Sequence, residues 1–180
     1  MINNFCIIMV LVTLVLAVPV CAKPEKITMG PYNVSFDMGR AVTHYTSSEQ
    51  SDGTTLDGAP YTQYTATIQG ITLMLRDYHG KSMRSITEEY VTVALKSRSP
   101  LCGEPMITSR TIDGKPGVVG KQDCILEGES YVIGFPIDYP SSLLGFFSGN
   151  AMTIMMEIYS TVPWDEGTSN LVKTIHVEKK

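Results

Sequence analysis

Between Cys102 and Cys124, two β-prone runs at 107–112 and 115–119 flank the dipeptide Asp113-Gly114. Asp-Gly supplies the positive φ angles of a tight two-residue turn, so this stretch predicts a β-hairpin. With Asp113 and Gly114 as the loop, the numbers of facing residues sum to 227. Cys102 and Cys124 sum to 226, a slip of one residue that a bulge at Gly117 or Gly120 would absorb. Cβ atoms placed opposite each other across a ladder meet disulfide geometry. The pattern therefore predicts a Cys102–Cys124 bridge, with two buried free thiols as the alternative. No C-x-x-C motif is present for redox work, and two cysteines fall short of a zinc site.

The compartment that permits such a bridge is suggested by residues 1–22. None of the chain's 14 basic and 18 acidic residues lies there. Residues 5–20 are almost unbroken apolar sequence, Pro19 ends the run, and Val20-Cys21-Ala22 places small residues before Lys23. This reads as a signal peptide cleaved before Lys23. The run is short for a membrane span, which needs about 20 residues. It lacks the basic residues of a typical leader, so an uncleaved N-terminal anchor is the alternative. Cys21 invites a lipoprotein reading, but Pro19-Val20 before it departs from a lipobox. Cys6 and Cys21 both fall inside the leader, leaving Cys102 and Cys124 to the mature chain, where an oxidising exterior allows them to pair.

Periodicity organises residues 23–180 as one domain. Residues 27–38 alternate Tyr32, Val34 and Phe36 with Asn33, Ser35 and Asp37, a half-buried strand. Residues 46–60 are rich in Ser, Thr, Asp and Gly and read as a long surface loop. Residues 61–68 and 71–75 form a hairpin about Gln69-Gly70. Over 85–98 the period becomes helical. Ser85 and Glu88 match a capping box, and Ile86, Tyr90, Val93 and Ala94 share a face. Residues 130–137 read as a strand with Tyr131, Ile133 and Phe135 on one side. Residues 151–159 are nearly all apolar, the mark of a central strand covered on both faces. A last helix falls within 165–174, with Trp164, Leu171 and Ile175 on one side. The expectation is an α+β fold: a single antiparallel sheet with helices packed on it.

This order resembles the PsbP-like superfamily, named for an extrinsic photosystem subunit. The residues carrying the resemblance are Tyr32-Asn33-Val34-Ser35-Phe36-Asp37, Thr111-Ile112-Asp113-Gly114-Lys115-Pro116-Gly117 and Pro163-Trp164-Asp165-Glu166-Gly167-Thr168 through Leu171-Val172-Lys173-Thr174-Ile175. The chain also resembles uncharacterised secreted proteins of methanogenic archaea. The resemblance implies an α/β/α sandwich and a binding or assembly role rather than catalysis. It brings no ligand residue with it, since a fold by itself does not assign an activity.

Chemistry-bearing residues are sparse in pattern. His44, His79 and His176 stand outside any zinc-like spacing, and no P-loop, G-x-S-x-G elbow or G-x-G-x-x-G occurs. Glu49, Asp52 and Asp57 could bind calcium but read more simply as a solvated acidic loop. Asp165 and Glu166 suit a helix start. Asn33-Val34-Ser35 is a glycosylation sequon whose Asn33 faces away from Tyr32 and Val34. Leu143, Leu144, Phe146 and Phe147 either cap the core or form a partner patch. A formal charge of −4 argues against nucleic acid. The sequence therefore predicts an exported, non-enzymatic binding or structural module with no catalytic set, cofactor or metal. Its partner is an unknown protein at the cell surface. A membrane enters only if the N-terminal segment is retained, as in the alternative of an anchored accessory factor docking a partner complex through the 143–147 loop. An exported hydrolase would need a pocket joining His79 or His176 to an acid and a hydroxyl.

Overall fold

The computed structural model of the chain describes residues 24–55, 58–79, 86–97, 101–125, 128–138, 153–160 and 162–180. Among the described residues, ten strands and two short helices follow in the order β1 (Glu25–Met29), β2 (Tyr32–Phe36), β3 (Glu49–Thr54), β4 (Pro60–Ile68), β5 (Ile71–Asp77), α1 (Glu88–Lys96), β6 (Met106–Ile112), β7 (Lys115–Cys124), β8 (Gly128–Pro136), β9 (Ile154–Ser160), α2 (Glu166–Thr174) and β10 (His176–Lys179). They form two antiparallel sheets, one of three strands ordered β1-β2-β10 and one of seven ordered β3-β4-β5-β9-β8-β7-β6.

The expected α+β sandwich is thereby corrected. Strands hold 55% of the described residues and helices 14%. The expectation rested on the central strand needing cover on both faces, and that part holds. β9 is the fourth of seven strands, and Met155, Met156, Glu157 and Ile158 are all buried. The cover differs. A second sheet, not a helical layer, shields most of one face. Val34 and Phe36 of β2 join Leu73 and Leu75 of β5, Ile133 and Phe135 of β8, and Leu171 of α2 in one core. On the other face lies α1, whose Val91 and Leu95 pack on Val118 and Val132. The PsbP-like α/β/α arrangement is not observed.

Several local expectations shift for identifiable reasons. The single strand expected over 27–38 is two strands, because Gly30 takes a φ of +57° and turns the chain between β1 and β2. The polar loop expected over 46–60 contains β3, an edge strand paired with β4 from Glu49↔Thr65 to Thr54↔Pro60. Its composition carries no strand signal; the free edge of β4 supplies the partner. β10 was not anticipated either, and it forms by pairing with β2. The N-cap is not Ser85, which lies outside the described residues, but Thr87, whose hydroxyl accepts from Tyr90 N at 3.1 Å. The buried face of α1 is turned toward Val91 and Leu95, leaving Val93 60% exposed. α2 starts as expected, with Asp165 accepting from Thr168 N at 2.8 Å.

Two glycines seat α1. A Cβ on Gly120 would lie 2.5 Å from Val91 and 2.6 Å from Leu95, and one on Gly134 would lie 3.0 Å from Ile86. Bare strand backbone at these two positions lets the helix approach the sheet closely. Gln122 adds a bond from its side-chain amide to the Leu95 carbonyl at 3.1 Å.

Candidate functional site

The hairpin behaves as its sequence predicts over most of its length. Ile112↔Lys115 through Met106↔Lys121 keep a constant register summing to 227, and Asp113 and Gly114 have φ of +50° and +70°. Cys102 and Cys124 face each other one residue out of register and form the disulfide. The slip is not at Gly117 or Gly120. It lies at 103–105, where three residues oppose two. Gly103 N donates to Asp123 O at 2.8 Å and Ile125 N to Leu101 O at 3.1 Å, so the cysteines occupy a non-hydrogen-bonded pair between these bonds. Side chains approach most closely at such pairs.

The register also determines what β6 offers to solvent. The pair flanking a two-residue hairpin loop is hydrogen-bonded, and bonded pairs alternate from there. Ile112, Arg110, Thr108 and Met106 thus bond to β7, while the N–H and C=O groups of Ile107, Ser109 and Thr111 point outward. Among the described residues β6 ends the sheet, with Met106 67% exposed and Thr108, Ser109, Arg110 and Thr111 also exposed. Beside it runs a groove of about 510 Å³, walled by Ile86, Thr87 and Glu88 and floored by Thr111, Pro116, Val118 and Pro136. Ser109 donates its hydroxyl proton to Glu88 at 3.0 Å across the rim. Among the described residues Arg110, on the opposite face of β6, has no ion-pair partner.

A second cluster lies on the α1 side of the central strands. Arg76 of β5 and Glu157 of β9 stand 3.8 Å apart, and Glu157 is 4% exposed. Tyr90 of α1 donates to Glu157 at 2.8 Å and accepts from Arg76 at 3.3 Å. Gln63 accepts from Arg76 Nε at 2.9 Å, and the guanidinium lies 5.4 Å from the Tyr61 ring centroid. Burial, reinforced by Glu157, pushes the Tyr90 phenol far above its usual range. Burial works against the Arg76 charge, yet Tyr90 and Glu157 outweigh it and leave its pKa raised. The set ties α1 to the sheet through Tyr90.

A third cluster joins the two sheets. The Asp113 carboxylate at the hairpin tip is 2.7 Å from His176 Nδ1, and accepts from Lys115 Nζ at 2.8 Å and Val177 N at 3.2 Å. Burial would raise its pKa, but these donors prevail and lower it.

The remaining candidates do not converge. His79 Nε2 meets Thr62 Oγ1 at 3.1 Å, and Thr62 donates to Asp52 at 2.8 Å. The hydroxyl stands between ring and acid, whereas a nucleophile–base–acid relay has the ring in the middle. Glu49 and Asp52 project to opposite faces of β3, and Asp57 lies outside the described residues. Among the described residues no three His, Cys, Asp or Glu side chains gather to hold a metal ion. Asn33 is half-exposed on the outer face of the small sheet, 3.5 Å from Glu178, as its alternation with Tyr32 and Val34 requires. Leu143, Leu144, Phe146 and Phe147 lie outside the described residues, as do residues 1–22, which the sequence reads as a leader. The Arg76–Glu157 cluster and the free β6 edge were missed by sequence reasoning. Their signals were present: an acid inside the apolar run at 154–158, and a strand without acidic residues at 106–112.

No family model matches the chain, and no curated protein or solved structure matches it either. Nothing in these comparisons points to PsbP-like or archaeal relatives.

Proposed function

We propose that this chain is an exported, non-enzymatic binding module that engages a protein partner at the cell surface through the groove beside β6. The observation carrying this reading is the contrast between clusters. The Arg76–Glu157–Tyr90 and Asp113–Lys115–His176 sets hold layers together, while the groove of about 510 Å³ adjoins a strand edge that, among the described residues, has no neighbour. Concave, mostly apolar surfaces with a few polar groups are where ligands bind. The Cys102–Cys124 bridge fits an oxidising exterior, and the apolar leader supplies the route there.

The test is photo-crosslinking in the source cells with benzoyl-phenylalanine at Thr111 or, as a control, at Val93 on the far side of α1. The expected result is a discrete adduct from position 111 only, on a chain whose mature N-terminus is Lys23 by mass spectrometry. Equal adducts from both positions, or none, would overturn the binding reading. A cytoplasmic chain with reduced cysteines would overturn export.

A further inference from the structure

The two ends of the large sheet are built differently. β3, at one end, reads Glu-Gln-Ser-Asp-Gly-Thr, with charge and glycine of the kind that discourages further pairing. β6, at the other end, reads Met-Ile-Thr-Ser-Arg-Thr-Ile, seven residues without an acid, glycine or proline. Most are strand formers. Its outward N–H and C=O groups at Ile107, Ser109 and Thr111 are a template for one more strand. Resting on the binding reading above, we propose that β6 takes an extended peptide segment of the partner as an eighth, antiparallel strand. We assign that segment the order apolar–acidic–basic.

The order follows from which face each position meets. A residue opposite Thr111 lies on the α1 side at the outer lip of the groove, in the row that runs inward through Thr111 to Pro116 of β7, and is apolar. The next residue points to the other face beside Arg110, whose positive charge selects an acid. The third returns to the α1 side opposite Ser109, where Glu88 waits at the rim and selects a base. A second copy of β6 suits this edge poorly. Antiparallel self-pairing centred on Ser109 brings Glu88 of each copy toward the other and offers no acid to Arg110. Antiparallel addition is taken because such pairing is the more stable per residue.

The test uses the full oxidised chain and two capped peptides of alternating threonine and valine. One carries Val-Glu-Lys at its centre and the other the charge-swapped Val-Lys-Glu. The first is expected to bind about tenfold more tightly, since two cross-strand charge pairs change from attraction to repulsion. It is also expected to slow amide exchange at Ile107, Ser109 and Thr111. Glu88→Lys should reverse the preference at the α1 face. Ser109→Pro should abolish binding while keeping the β7 ladder, because its N–H is not used there; unfolding curves of both variants report that the fold persists. Equal affinities, or no binding by the Val-Glu-Lys peptide, overturn the proposal. Shifts in the groove without protection of the β6 amides overturn strand addition but leave a binding module. Protection that grows with protein concentration alone, with a dimer in sedimentation, assigns the edge to a second copy instead.

Discussion

Glu157 is a carboxylate in the central strand of a seven-stranded sheet, between Met156 and Ile158, both fully buried. Its retention depends on Arg76 and Tyr90, which satisfy the charge that burial would otherwise penalise by several kcal/mol. Removing one member leaves the other exposed to that penalty. Glu157→Ala is expected to lower stability by about 3 kcal/mol, read from the urea midpoint by circular dichroism. The double variant Arg76→Met with Glu157→Leu should cost much less than Glu157→Ala alone, since it removes both charges while keeping volume. A double variant as unstable as the single one would show that the cluster acts through packing and not through charge.

At the scale of elements, the β6–β7 hairpin and α1 depend on backbone details. The disulfide closes a loop with a sequence separation of 22, which by chain entropy stabilises the fold by about 3 kcal/mol. Reduction with a thiol should shift the urea midpoint downward accordingly, and Cys102→Ser with Cys124→Ser should reproduce the shift without reductant. The Gly120 seat is equally specific. A methyl group there meets Val91, Leu95 and Ile107 at 2.5–2.9 Å. Gly120→Ala is expected to cost about 2 kcal/mol, the usual magnitude for overpacking. It should also raise amide exchange in α1 before it does so in β9.

For the whole molecule, one polar joint between the sheets is the Asp113 carboxylate held by Lys115, His176 and Val177 N. Its pKa is lowered in the fold, so the unfolded chain takes up its proton at higher pH than the native one. The stabilisation is therefore complete above the ordinary carboxylate range near about pH 4 and fades as pH falls through the folded value. Unfolding followed as a function of pH should show stability dropping below about pH 4. Asp113→Asn should be less stable at neutral pH and should have a flatter acid limb. An unchanged acid limb would place the acid sensitivity elsewhere, for example at Asp165, whose pKa is also lowered, by Thr168 and Arg40 against the effect of burial.

What could be read from the chain was local or tied to a fixed period. Asp113-Gly114 determined a hairpin and its register, and the Cys102–Cys124 pairing followed within one residue. The apolar run ending at Tyr159 announced a central strand, and Asp165 announced the start of α2. What only the tertiary structure decided was who covers whom. Whether a second sheet or a helical layer shields β9 depends on β10 returning to pair with β2, a contact across some 140 residues that leaves no periodic trace. The same holds for β3, a polar stretch made into a strand by the open edge of β4. It holds too for Arg76 and Glu157, whose partnership needs β5 and β9 side by side. Short-range signals arise from backbone geometry and side-chain alternation within one element. Sheet order and buried charge pairing are set by the burial of the whole molecule at once, and one segment cannot carry that information.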